Sequence, residues 1–280
     1  RWLGDVYKIQ IGNFDGLHKG HQSILRKIKT DAEKTNSKTI VFFTEPHASE
    51  YFANKQDFKF LPPPRICSWR EKFELLRDFG IDFAFFLKFN NSLQTMTPEK
   101  FISDILDNVG LCSFTVGDDF RFGINREGDF ELLQSWGNQN DIFVSNTDTL
   151  KIDNERVSST RIRQALLDSD FSLANELLGR PYSFSGKVVH GQQLGRTIGV
   201  PTANIWMPSQ KLPISGVYAV ECLLEDKFLK GIANMGIRPT VGGKKPVLEV
   251  HLFDFNEDIY SKRIQVEFCL LYTSPSPRDH

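Results

Sequence analysis

Hydrophobic and polar positions follow two different periods along the chain, and the change falls near Gly179. Before it, short β-rich runs alternate with runs of helical spacing. VYKIQI and TIVFFT read as strands, and HQSILRKIKTDAEK places Ile24, Leu25 and Ile28 on one helical face. RICSWREKFELLRDFG reads as a second helix stopped by Gly80. IDFAFFLKF, TPEKFISDILDNVG and CSFTVG continue the alternation, with Thr97 as N-cap and Pro98 at the first helical position. Nearly continuous apolar strands separated by helices predict a parallel sheet covered on both faces. The expectation for residues 1–180 is a doubly wound α/β domain.

After Arg180 the helical period stops. YSFSGKVVHG, TANIWM, GVYAVECLLE, FLKGIANMG, VLEVHLFDF and RIQVEFCLL are strand-like and broken by turns rich in Gly, Pro and Asp. About six strands with no helix between them predict a small antiparallel β-barrel, here over residues 181–270. The boundary is expected after ANELLGRP, where Gly179 ends a helix that Pro181 cannot continue. LYTSPSPRDH changes character abruptly, so residues 271–280 are expected to be a tail outside the fold, natural or an expression or read-through scar. The chain does not open on Met, so its natural start is expected to lie upstream.

Composition narrows the classes. The 280 residues are 40% hydrophobic and 25% charged, which suits about two globular domains. A net charge of -1 and a pI near 6.7 provide no bulk field for nucleic acid or an acidic membrane. Cys67, Cys112, Cys222 and Cys269 lie far apart with no C-x-x-C pair. That spacing argues against a zinc ribbon or redox dithiol and for a reduced, cytoplasmic protein. No apolar run approaches the ~20 residues of a membrane span.

Four stretches carry candidate chemistry. In GNFDGLHKGH, directly behind the first strand, Gly12 and Gly16 let the backbone turn tightly and approach a phosphate. His18 and His21, three apart, share the first helical turn and can reach one phosphate. A metal pair and surface histidines are the alternatives, although helical zinc pairs sit about four apart with a third ligand. VSSTRIRQALL puts Ser158, Ser159 and Thr160 at a helix start, followed by Arg161 and Arg163, which suits phosphates or ordinary capping. In LGRTIGVPTANI, Gly195 and Gly199 bracket a loop bearing Arg196, and Pro201 leads to Thr202 and Asn204. Two neutral oxygens facing one way suit Mg²⁺ or a plain polar strand surface. In LEVHLFDFNEDIY, Glu249 shares a face with His251 and Phe253, as a buried general base or an exposed strand carboxylate.

GNFDGLHKGH together with SSTRIR resembles the nucleotidylyltransferase signature pair. TEPH, REKFELL and VGDDFRFG narrow the resemblance to the adenylyltransferase module of bacterial FAD synthetases, the bifunctional riboflavin kinase/FMN adenylyltransferases. The resemblance implies a Rossmann-like domain with ATP at Gly12, Asn13, Phe14, Asp15, Gly16, His18 and His21. It implies phosphates at Ser159, Thr160 and Arg161, and flavin at Asp118, Asp119, Phe120 and Phe122. His18, His21 and Arg161 would promote the transfer.

GRTIGVPTAN, GVYAV, ANMGIRPT and LEVHLFDFNEDIY resemble the riboflavin kinase module. That implies ATP at Gly195, Arg196, Pro201, Thr202 and Asn204, Mg²⁺ on Thr202 and Asn204, and Glu249 as the base. The chain departs from the family pattern at Ala48, where another Pro is usual, and at Ile259-Tyr260-Ser261, where LYG is usual. Family members also continue into a helix past the strand ending near Phe268, so the kinase module is expected to be C-terminally truncated. The expectation is a transferase taking riboflavin to FMN and FMN to FAD with ATP and Mg²⁺, partnered by small molecules and by neither nucleic acid nor membrane. An FMN adenylyltransferase with an inert barrel is the alternative. A flavin-binding protein without turnover is a further rival, but it would not need the histidine pair, the arginine and the glutamate together.

Overall fold

A computed structural model describes residues 7–55, 61–191, 201–207, 212–240 and 243–271. Five parallel strands form the first sheet: β1 (Tyr7–Ile11), β2 (Lys38–Glu45), β3 (Phe83–Lys88), β4 (Leu111–Gly117) and β5 (Phe143–Thr147). Their order is β3-β2-β1-β4-β5, so the winding direction reverses between β1 and β4. Helices α1 (Lys19–Lys34), α2 (Ala48–Lys55), α3 (Trp69–Asp78), α4 (Asn91–Gln94), α5 (Pro98–Phe101) and α6 (Phe130–Gln139) connect them. Thr97 caps α5 through Lys100 N–H with Pro98 in its first turn, as the sequence predicts; a π-helical turn (Ile102–Leu106) extends it.

The two faces of this sheet bury separate clusters. Ile9, Phe42, Phe101, Leu106, Phe114 and Leu133 pack on one side. Phe14, Leu25, Ile28, Val41, Phe43 and Leu76 pack on the other. The expected cover is incomplete at one edge: Phe83, Phe85 and Phe86 of β3 are 41%, 47% and 57% exposed. The predicted second helix is shorter than its pattern, because only Trp69–Asp78 is helical.

The short hairpin β6 (Lys151–Ile152) and β7 (Glu155–Arg156) leads to α7 (Ser159–Leu167) and α8 (Phe171–Leu178). Gly179 closes α8 in the left-handed conformation, φ 73°, as predicted. Strands β8 (Ser183–Val189), β9 (Ala203–Ile205), β10 (Gly216–Leu224), β11 (Lys227–Thr240), β12 (Gly243–Leu252) and β13 (Arg263–Leu271) then close an antiparallel barrel, order β10-β11-β12-β9-β8-β13. Phe171 of α8 stacks on Phe268 of β13 and meets Tyr218 of β10 edge-on, with ring centroids 6.5 and 5.5 Å apart. The described residues accordingly divide into two units between Val157 and Ser158, with Pro64–Ser68 joining the second. The expected boundary at 180/181 lies at the far end of this helix pair.

Candidate active sites

In an open α/β sheet, ligands bind beyond the carboxyl ends of the strands where the winding reverses. The β1 loop, Gly12 to His18, and the β4 loop, from Asp118 onward, flank that point. Phe14 (φ 49°), Gly16 (φ 79°) and Leu17 (φ 41°) all take left-handed conformations in the first loop. Non-glycine residues there cost on the order of 1–2 kcal/mol each, a strain balanced by the complete burial of Phe14 and near-complete burial of Leu17. Gly12 serves a different need: a Cβ on it would stand 3.3 Å from the Phe14 ring. Phe14 and Asp15 are buried at 0% and 1% exposure, so they shape the loop from inside. Asn13 is exposed, and its Oδ1 accepts from the Thr44 hydroxyl at the end of β2, 3.1 Å.

His18 stands one residue before α1 as its N-cap, and its Nδ1 accepts from His21 N–H at 3.3 Å. A neutral ring accepting at Nδ1 carries its proton on Nε2, which is then a donor. The two imidazoles stack, centroids 3.6 Å apart and planes 17° from parallel, with Phe14 5.1 Å from His21. Burial, then the charges of His18, Lys72 and Arg156, holds His21 well below the usual imidazole range. Its Nδ1 is buried with no hydrogen-bond partner among the described residues. Such an atom fits a ligand better than it fits a core.

In the β4 loop, Arg156 reaches Asp119 at 3.0 Å and Asp118 at 3.3 Å, and the Thr149 hydroxyl donates to Asp118. Phe120 is half-buried, whereas Phe122 is 6% exposed and packs between Phe101 and Phe120. Phe122 therefore backs the loop as a core residue, and Phe120 is the ring with an exposed portion. In the second unit, Ser158 caps α7 by accepting Arg161 N–H, 3.2 Å, which leaves Ser159 and Thr160 in its first turn and Arg161 half-buried.

The barrel brings Glu249 and Asn204 directly opposite each other across β12 and β9, with Asn234 of β11 opposite Glu249 on its other side. Asn204 is 9% exposed and Glu249 half-buried. A Cβ on Gly191 would run into the Asn204 amide, so glycine lets the backbone pass over that side chain. His251 Nδ1 meets Pro201 O at 2.8 Å and ties Pro201-Thr202 to β12. Pro201 and Thr202 line a cavity of about 450 Å³ with Val250, Phe255 and Tyr260, and Tyr260 stacks on His190 at 3.9 Å. Gly195 and Arg196 lie outside the described residues. The neutral oxygens of Thr202 and of Asn204, the latter opposite the Glu249 carboxylate, fit a hard cation that takes its remaining ligands from phosphate and water.

Residues 5–161 match the family model for FAD synthetase, and residues 178–272 that for riboflavin kinase. The curated bifunctional riboflavin kinase/FMN adenylyltransferase of Escherichia coli strain K12 is 44% identical over 260 residues, 92% of this chain and 82% of that one. This chain belongs to the bifunctional riboflavin kinase/FMN adenylyltransferase family. The Haemophilus influenzae relative is 41% identical over 263 residues, 93% of this chain and 84% of that protein. A crystal structure described as a macrolide-efflux protein from Streptococcus pneumoniae aligns at TM-score 0.80 and 29% identity, over 98% of this chain and 90% of that one. Among the described residues here, no helix is long and apolar enough to cross a membrane.

Two arrangements at these sites escape the sequence pattern. Asn234 joins Glu249 only through strand pairing. Arg156 meets the Asp118–Asp119 carboxylates over 37 residues of chain. Ala48, at the family's usual proline, is simply the first residue of α2.

Proposed function

We propose that this chain phosphorylates riboflavin to FMN in its barrel and adenylates FMN to FAD, with release of pyrophosphate, at the His18–His21 pair. It would do so in the cytoplasm, on small-molecule partners alone. The observation that carries the adenylyl step is the stacked His18–His21 pair at a helix start beside the switch point of the sheet. In that step an oxygen of the FMN phosphate bonds to the α-phosphorus of ATP as the bond to pyrophosphate breaks. His18 Nε2–H and the first amides of α1 donate to phosphate oxygens, and His21 offers its buried Nδ1 edge. Ser159, Thr160 and Arg161 bind phosphates, while Asp118, Asp119 and Phe120 seat the flavin with Phe122 behind them.

In the barrel, Glu249 takes the proton of the riboflavin 5′-hydroxyl as that oxygen attacks the γ-phosphorus of ATP and the bond from that phosphorus to the ADP oxygen breaks, so that ADP leaves. Asn234 and Asn204 lie opposite Glu249 on the two neighbouring strands. Thr202 and Asn204 would hold Mg²⁺, which neutralises phosphate charge when bound with the nucleotide. Gly195, Arg196 and Pro201 complete the ATP site. The test is a time course of riboflavin, ATP and Mg²⁺ with the purified chain, flavins being separated by chromatography. FMN followed by FAD is expected. FAD from supplied FMN but nothing from riboflavin would sink the kinase half, and no FAD from FMN would sink the other.

A further inference from the structure

Neither step uses Lys72, which is 0% exposed on α3, the helix packed on the Asp15–Leu17 turn. Its Nζ stands 3.2 Å from His47 Nε2 and 4.5 Å from the centre of the Phe43 ring. An ammonium taken out of water is costly unless partners compensate it, so a lysine on an apolar helix face calls for a reason. A protonated lysine has only donors. His47 Nε2 must then accept, which puts the neutral ring's proton on Nδ1. The other side of His47 is also fixed, since its backbone N–H donates to Glu50 Oε2 at 3.1 Å. His47 follows β2 at the carboxyl edge of the sheet, three residues beyond the Thr44 that bonds Asn13 of the β1 loop.

We propose that Lys72 is a positioning residue of the adenylyl-transfer site: it locks the tautomer and orientation of His47 and supplies a fixed positive charge behind the His18–His21 pair. This rests on the adenylyltransferase reading. Lys72 is among the causes of the low proton affinity of His21, after burial and His18 and ahead of Arg156. The charges that lower His21 are those of His18 from the α1 cap, Lys72 from α3 and Arg156 from β7, all cationic or able to become so. Lys72 itself meets His47, whose peptide is held by the buried Glu50. With His21 kept neutral, the stacked rings do not repel each other before the phosphates arrive.

The experiment is ¹⁵N-histidine NMR of the full chain, with His47→Gln to assign the resonance, alongside FMN adenylylation. Wild-type His47 should show the single Nδ1–H tautomer, with Nε2 accepting. A His47 that carries its proton on Nε2, or samples both tautomers, overturns the proposal. Lys72→Met should mix the His47 tautomers and lower FAD formation about 10- to 100-fold, as loss of an orienting partner typically does. FMN formation from riboflavin should not change. An unchanged FAD rate, or a fallen rate with the His47 tautomer intact, also overturns it. Should Lys72→Met fail to fold, the wild-type spectrum decides alone. A wild type that makes no FAD from FMN defeats the adenylyltransferase reading instead, and its His47 spectrum still reports on Lys72.

Discussion

His21 and Glu249 are the residues whose loss separates the two chemistries. His21→Ala removes a group proposed to stabilise the transferring phosphate, and losing one such interaction costs about 10²–10³ in kcat. FAD formation from FMN should fall by that order while FMN formation persists. Glu249→Gln should do the reverse; equal loss of both reactions in either variant would dissolve the division of labour. His21 also makes the α/β unit acid-sensitive. Its pKa lies well below 6.5 in the folded chain, chiefly because of burial. As pH falls through about 6.5 the unfolded chain takes a proton that the folded chain refuses, so stability declines until the folded pKa is reached and returns as pH rises. Tm should therefore drop between about pH 7 and pH 5, and His21→Gln should flatten that slope; an unflattened slope would assign the loss to other groups.

Elements set how far these residues can be read. The β4 loop depends on Gly123, with φ +74° and room for no side chain: a Cβ would stand 2.8 Å from Pro98 N. Gly123→Ala should cost about 1–3 kcal/mol through strain and overlap and raise the KM for FMN, checked by thermal unfolding and initial rates. The strand–helix alternation, the caps at Thr97 and Gly179 and the six barrel strands are legible because period and punctuation are local signals. The early start expected for α3 was not, because residues outside the helix claim that segment: the Pro64 carbonyl accepts from Arg163 Nε, 2.7 Å. An edge strand such as β3 has the same apolar content as a central one, so its exposed phenylalanines carry no mark in the pattern. The histidine pair stood out because it follows a strand and a two-glycine turn, its spacing alone being uninformative, whereas Lys72 was hidden as one charge in a charged helix. Its signal was its place one turn before the buried Leu76, on the apolar stripe.

At the scale of the molecule, each unit closes its own core, one around a sheet and one inside a barrel. The residues proposed for the two reactions do not overlap. A mixture of His21→Ala and Glu249→Gln chains should therefore turn riboflavin into FAD, with FMN passing through solution. A mixture that stalls at FMN would mean the intermediate must stay on one chain. The barrel has one further property: its first strand, β8, pairs with its last, β13, Ser183 opposite Glu267. Such closure waits for distant parts of the chain to meet, which makes it slow and late. The five-stranded sheet needs nothing beyond Thr147. As the polypeptide leaves the ribosome, the sheet can assemble while the barrel is still an open ribbon, and its final staves are laid only after β13 has emerged.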